Sequence, residues 1–179
     1  MFTNQKIIKF LIFFFCFNIF SSIAQTNEDV PLNNIAINET PRPISSIIFE
    51  DFSGKEIDLK NYIGKVIIIN FWAIWCAPCK EEMPSLDALY QNDSFKNLQV
   101  FAVNMEPPNT SKTKKFFDDL NIQKLEIFFD RNLNFVKEFK LRGIPTTILI
   151  DKEGNEFARI IGKVDFLDKK FLKWLSKYD

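Results

Sequence analysis

No histidine occurs anywhere in this sequence, and that absence alone removes many enzyme classes. There is no imidazole general base, no Ser/His or Cys/His catalytic pair, and no histidine metal ligand. Cysteine is nearly as scarce. Of three, Cys16 falls in a segment read below as a removed signal, which leaves Cys76 and Cys79. A tetrahedral zinc site draws four ligands mostly from Cys and His, so one chain supplies too few, and no metal or other cofactor is expected. An excess of either charge is missing as well. Lys and Arg total 23 and Asp and Glu total 23, so nothing suggests nucleic acid or an anionic membrane surface as a partner. The 179 residues have room for one ordinary domain and a short extension. Of the 21 phenylalanines, seven lie in the first twenty residues and the rest are spread like core positions, so they indicate no function.

What is present begins with a targeting pattern. Lys6 and Lys9 precede a nearly unbroken apolar run from Phe10 to Phe20, and Ser22-Ile23-Ala24 then offers small residues where a signal peptidase cuts. The run is shorter than the roughly 20 residues that a spanning helix needs. Residues 1–24 are therefore expected to be a signal peptide, with an uncleaved anchor as the alternative. Either way the domain lies across a membrane, in the periplasm or on the outer face of the inner membrane. Residues 25–43 are polar, carry Pro31, Pro41 and Pro43, and lack periodicity, which reads as a linker. The folded domain is then 44–179.

Within it, a hairpin is expected around Asp51-Phe52-Ser53-Gly54-Lys55, followed by a strand from Val66 to Phe71 whose β-branched run suits burial on both sheet faces. A helix from Cys76 to about Tyr90 carries Met83, Leu86 and Leu89 at helical spacing. Strands are expected at 98–103, 125–129, 146–150 and 156–161. Helices are expected to be opened by Thr110 or Ser111, by Asn132 and by Asp165. Strands alternating with helices, closed by a hairpin and a helix, make an α/β protein with a mixed sheet.

The chemistry sits where the strand ends and the helix begins, in Trp75-Cys76-Ala77-Pro78-Cys79-Lys80. Cysteines three apart share a helix face, with Cβ atoms about 5–6 Å apart in regular helix. A disulfide needs about 3.8 Å, a separation that a tightened first turn provides. Free N–H groups and the positive dipole end favour a thiolate there, and Pro78 suits an early helical position. An inert bridge is the rival reading. Closing so small a loop stabilises little, which favours a redox pair.

Together with Gly143-Ile144-Pro145-Thr146, this motif resembles the two hallmark motifs of the thioredoxin superfamily. More narrowly, Gly64-Lys65, the apolar strand 66–69, Asn70 to Cys79, Glu82 and Pro84 in that order are similar to the exported TlpA/ResA-like thiol–disulfide oxidoreductases. The resemblance covers roughly 43–178. It implies a thioredoxin-like fold with an N-terminal hairpin and an extra helix–strand unit at about 105–130. It also implies a cis Ile144–Pro145 bond facing the cysteines, with the Ile144 backbone free to pair with a client segment as an added strand. Ordinary thioredoxins carry an acid where Asn70 stands. Glu82, one turn beyond Cys79, matches the acid of the narrower pattern, and partial burial there would raise its pKa.

The expected function is reduction of disulfides in exported clients. Cys76 attacks, Cys79 resolves with help from Glu82, and a membrane electron donor of the kind serving this family re-reduces the pair. Trp75, Ala77, Pro78, Ile144 and Pro145 form the client's landing surface, whereas Trp72 is core. Apocytochrome c and oxidase copper-site proteins are the client classes that the resemblance brings in, and a monomer is expected. The run at 143–147 differs from the Gly-Ala-Pro-Glu of reductases dedicated to cytochrome c maturation, which weakens that assignment. A copper-delivery chaperone of this fold would need CxxxC plus His, and a peroxidase would need Thr-x-x-Cys. Neither pattern is present.

Overall fold

The computed structural model describes residues 32–179. The targeting segment 1–24 and the first part of the expected linker lie outside the described residues. Among the described residues, eight strands form one sheet: β1 (Ile35–Pro43), β2 (Ile48–Asp51), β3 (Glu56–Asp58), β4 (Val66–Trp72), β5 (Leu98–Asn104), β6 (Ile127–Phe129), β7 (Thr146–Ile150) and β8 (Asn155–Ile161). Their spatial order is β1-β8-β7-β4-β5-β6-β2-β3. Four α-helices lie among the described residues: α1 (Ala77–Tyr90), α2 (Thr110–Asp119), α3 (Asn134–Phe139) and α4 (Lys169–Leu175). The thioredoxin-like mixed sheet, the N-terminal hairpin of β2 and β3, and the inserted unit of α2 and β6 all stand as the sequence implied.

β4 sits at the centre, parallel to β5 and antiparallel to β7. All seven of its residues are buried, because helices cover both faces and leave no solvated side for a polar alternation. Val66, Ile68 and Trp72 face α1, α2 and α4, packing with Met83, Leu86, Phe116 and Phe171. Ile67, Ile69 and Phe71 face the other way, toward Phe135 and Phe139 of α3. Much of the phenylalanine content is spent here. Phe49, Phe101 and Phe128 meet edge to face with centroids 5.1–5.5 Å apart, a favoured arrangement for aromatic quadrupoles. Each such ring removed from water contributes about 1.5–3 kcal/mol.

The expected linker needs correction. Its second half, Ile35–Pro43, is β1, paired antiparallel to β8 with a break in register between Ile37 and Arg42. The strand lies at the sheet edge, where one side faces solvent and proline is tolerated, so Ile35-Ala36-Ile37 offered too little apolar alternation to reveal it. Arg42 is its anchor. The guanidinium donates to the fully buried Glu156 at 2.9 Å and to Glu138 at 3.0 Å, and stacks 5.4 Å from the Phe139 ring centroid.

Three helix starts also differ from expectation. Asn109, not Thr110 or Ser111, caps α2 by accepting from Lys112 N at 3.1 Å. Asp130, not Asn132, receives the first N–H groups of α3. Asp168, not Asp165, caps α4, and Asp165 instead holds the turn before it. In each case neighbouring residues could cap equally well, and the path of the incoming chain selects among them.

Asp87 on α1 was not singled out by sequence, yet it is buried and accepts from the backbone N–H of Gln123, Lys124 and Leu125 at 2.8–3.0 Å. It pins the loop before β6 to the helix that carries the cysteines. Asp87→Ala orphans three backbone donors, and buried unmade hydrogen bonds each cost about 1–3 kcal/mol. Only the Leu125 N–H bond is fully buried, the other two being part-buried, so a loss of about 1–3 kcal/mol in urea unfolding is expected. A change below about 1 kcal/mol would show that water replaces the carboxylate freely.

Candidate active site

The site is built on the β4–α1 junction. β4 ends at Trp72, the chain turns with Cys76 N donating to Ala73 O, and Cys76 becomes the N-cap of α1. Pro78 occupies the first turn, where its missing N–H removes nothing from the helix. Cys76 and Cys79 are joined in a disulfide with Cα atoms 5.3 Å apart. The two sulfurs are not equivalent. Cys76 keeps 4 % exposure and Cys79 none, so an incoming sulfur reaches Cys76 first. Cys79 N also donates to Cys76 Sγ at 3.3 Å, so this N–H is positioned to stabilise charge on the same sulfur.

Glu82, three residues beyond Cys79, is 1 % exposed. Its carboxylate accepts from Asn70 Nδ2 at 2.7 Å through Oε1 and from Val164 N at 3.0 Å through Oε2. Burial raises its pKa to about 7, against the lowering effect of the Asn70 and Val164 hydrogen bonds and the Lys163 charge. Lys163 itself pairs with the neighbouring Glu81 on the surface. Asn70 is thus more than the residue that replaces an acid. It bridges Glu82 and Thr147 Oγ1, 3.0 Å away on β7, and its own Oδ1 is buried without a partner. A lone polar residue inside an apolar strand was a legible signal that some buried group must meet it. The identity of that group was not legible.

The register between β4 and β7 sets the third part. Phe71 faces Thr146, so β7 begins beside the end of β4, with the Ile144–Pro145 turn directly before it. The Ile144–Pro145 peptide bond is cis. Pro145 O accepts from Gly162 N at 2.9 Å and Gly143 O accepts from Thr146 Oγ1 at 2.7 Å. Between these occupied carbonyls, the N–H and C=O of Ile144 have no partner among the described residues.

Trp75 is 72 % exposed, open to solvent over most of its surface. Trp72 is core, stacked 4.7 Å from Phe116. Ala77 is exposed, and it opens α1. Glu106 was missed altogether. Its carboxylate accepts from Ile74 N at 2.6 Å and so holds the loop between Trp72 and Cys76. Nothing in its spacing distinguishes it from a surface acid.

Residues 42–155 match the AhpC/TSA family, which is more than half of the chain. The thiol-disulfide oxidoreductase ResA of Bacillus thuringiensis subsp. konkukian is 30% identical over 125 residues, covering 70% of this chain and 71% of that protein. Among solved structures, StoA from Bacillus subtilis is 25% identical with a TM-score of 0.60, covering 75% of this chain and 99% of its own. A DsbF homologue from Corynebacterium diphtheriae superposes with a TM-score of 0.67 at 22% identity, over 80% of this chain and 92% of its own, a likeness of fold. The chain, with a disulfide seated at the head of a helix and a cis-proline turn of its own, belongs to the AhpC/TSA family as a ResA-like thiol–disulfide oxidoreductase.

Proposed function

We propose that this oxidoreductase works as a reductant of disulfides in exported proteins, with Cys76 as the attacking and Cys79 as the resolving sulfur. The observation that carries the assignment of roles is the asymmetry of the pair: only Cys76 is reachable, and it stands at the helix N-terminus. Starting from the dithiol, Cys76 thiolate attacks one sulfur of a client disulfide and expels the other as a thiolate. Cys79, losing its proton, attacks Cys76 and releases the client's second sulfur, which takes up a proton. Two electrons pass to the client, and the protein is left as the disulfide.

Glu82 is the proton-exchanging group. It shares a helix face with Cys79, and a carboxyl that titrates near 7 can both take and return a proton at neutral pH. Its Asn70 partner is an amide. By turning over, an amide donates to the carboxylate or accepts from the carboxylic acid, so it serves both protonation states. Ile144 and Pro145 form the turn on which a client strand pairs, with Trp75, Ala77 and Pro78 as the facing surface. The direction of transfer is supported by Ala77-Pro78. No charged group lies between the cysteines to hold the thiolate and favour the reduced protein. A membrane donor then restores the dithiol, and the targeting pattern of residues 1–24 supports an exported location.

The test is a trap. Cys79→Ala, expressed in the native host, should accumulate as mixed disulfides through Cys76, because the efficient route off is removed. The adducts are expected to be exported proteins carrying cysteine pairs, including those that receive haem or copper, which need reduced thiols in an oxidising compartment. Adducts composed of cytoplasmic proteins, or adducts on Cys76→Ala instead, would overturn the location or the roles respectively. Hydrogen peroxide consumption by the reduced protein, faster than client reduction, would favour a peroxidase.

A further inference from the structure

A cleft of about 690 Å³ opens beside the cis-proline turn and contains neither cysteine. Ile144, Pro145 and Ile161 give it an apolar side, and Ile161 is 63 % exposed. Charged residues line it as well. Arg42 and Arg159 line it, and both donate to Glu156, while Glu138 takes the remaining arm of Arg42. Arg159 Nη1 also donates to Phe139 O, so this quartet fixes the end of α3 from which the chain runs to the cis-proline. Its charges cancel. Lys140 and Arg142, next along that chain, are exposed, line the same cleft, and have no acidic partner among the described residues.

The lip of the cleft therefore carries two uncompensated positive charges, two and four residues from Ile144, on a protein whose formal net charge is zero. We propose that this lip selects clients, binding acidic residues that lie a few positions from the attacked cysteine in the client chain. The inference rests on the reading of Ile144–Pro145 as the client-pairing turn. A client strand paired there advances about 3.3 Å per residue. Its side chains two to four positions from the sulfur thus pass Arg142 and Lys140 while its apolar ones meet Ile161. A charge pair at such a rim acts mainly by steering encounter and by penalising clients of the wrong sign.

Three synthetic peptides test it, each with one intramolecular disulfide flanked by two glutamates, two serines or two lysines. Their reduction by the full-length dithiol protein is followed by the change in intrinsic tryptophan fluorescence at low ionic strength. The glutamate peptide should react about tenfold faster than the lysine peptide, with serine between. The ratio should fall towards one above about 0.5 M salt, where screening shortens to a few ångströms. In Lys140→Glu/Arg142→Glu the order should reverse. Equal rates for the glutamate and lysine peptides in the wild-type protein overturn the proposal, and this needs no variant to fold. A ratio indifferent to charge reversal overturns it too. Sedimentation with phosphatidylglycerol vesicles, without any peptide preference, would assign the two charges to a membrane surface instead. Failure to reduce even the serine peptide would mark the dithiol reading itself as wrong, and this inference would fall with it.

Discussion

Cys76→Ser is expected to bring reduction of insulin, driven by dithiothreitol, down to the uncatalysed rate, with the fold intact. The reason is positional. A hydroxyl at residue 76 cannot form the mixed disulfide, and Cys79 cannot take over, because it has no exposed surface and lies inside the first turn of α1. Cys76 alone has access, an N-cap position, and the Cys79 N–H pointed at its sulfur. Thiol titration of the reduced protein should show Cys76 ionising below the usual value near 8.5, as thiols at helix N-termini do. Cys79→Ala should behave differently. It should keep one round of attack, visible as a client adduct on a non-reducing gel, and lose turnover. If Cys76→Ser retained measurable reductase activity while Cys79→Ala retained no attack, the two sulfurs would have to exchange roles.

Glu82→Gln is expected to change both chemistry and stability, with a pH signature that a surface acid would not produce. In the folded protein the carboxyl is held up at about 7, from an ordinary 4.5, chiefly by burial. Folding thus favours the protonated form. The stability that this provides is complete below about pH 4.5 and is lost as pH rises through about 7. A shift of that size is about 3 kcal/mol. Urea unfolding should therefore show Glu82→Gln gaining on the wild type by up to about 3 kcal/mol between pH 4 and pH 8. The same variant should resolve mixed disulfides more slowly at pH 7 and lose the inflection near 7 in the rate of that step. A stability difference flat with pH, together with an unchanged rate profile, would reduce Glu82 to a buried hydrogen-bonding group between Asn70 and Val164.

Local chemistry made several features readable from the sequence alone. The run Val66 to Ile69 can only be a strand covered on both faces, since nothing in it tolerates water. Two cysteines spaced by three residues at the head of a helix can bridge whatever surrounds them. The turn at Gly154 and the apolar pairs of β7 and β8 declare a hairpin through residues that touch nearly as neighbours. Tertiary structure decided the rest, because the deciding partners are far apart along the chain. β1 is a strand only because β8 lies more than a hundred residues away to pair with it, and Arg42 has a purpose only once Glu156 and Phe139 stand beside it. Glu82 could be placed on the face of Cys79 by helical periodicity, yet its pKa is set by Asn70, Val164 and the surrounding core, which converge from β4 and from the segment after β8. Spacing ranks which groups share an element, but burial and long-range hydrogen bonds set the state of a proton, and these exist only after the sheet has closed around it.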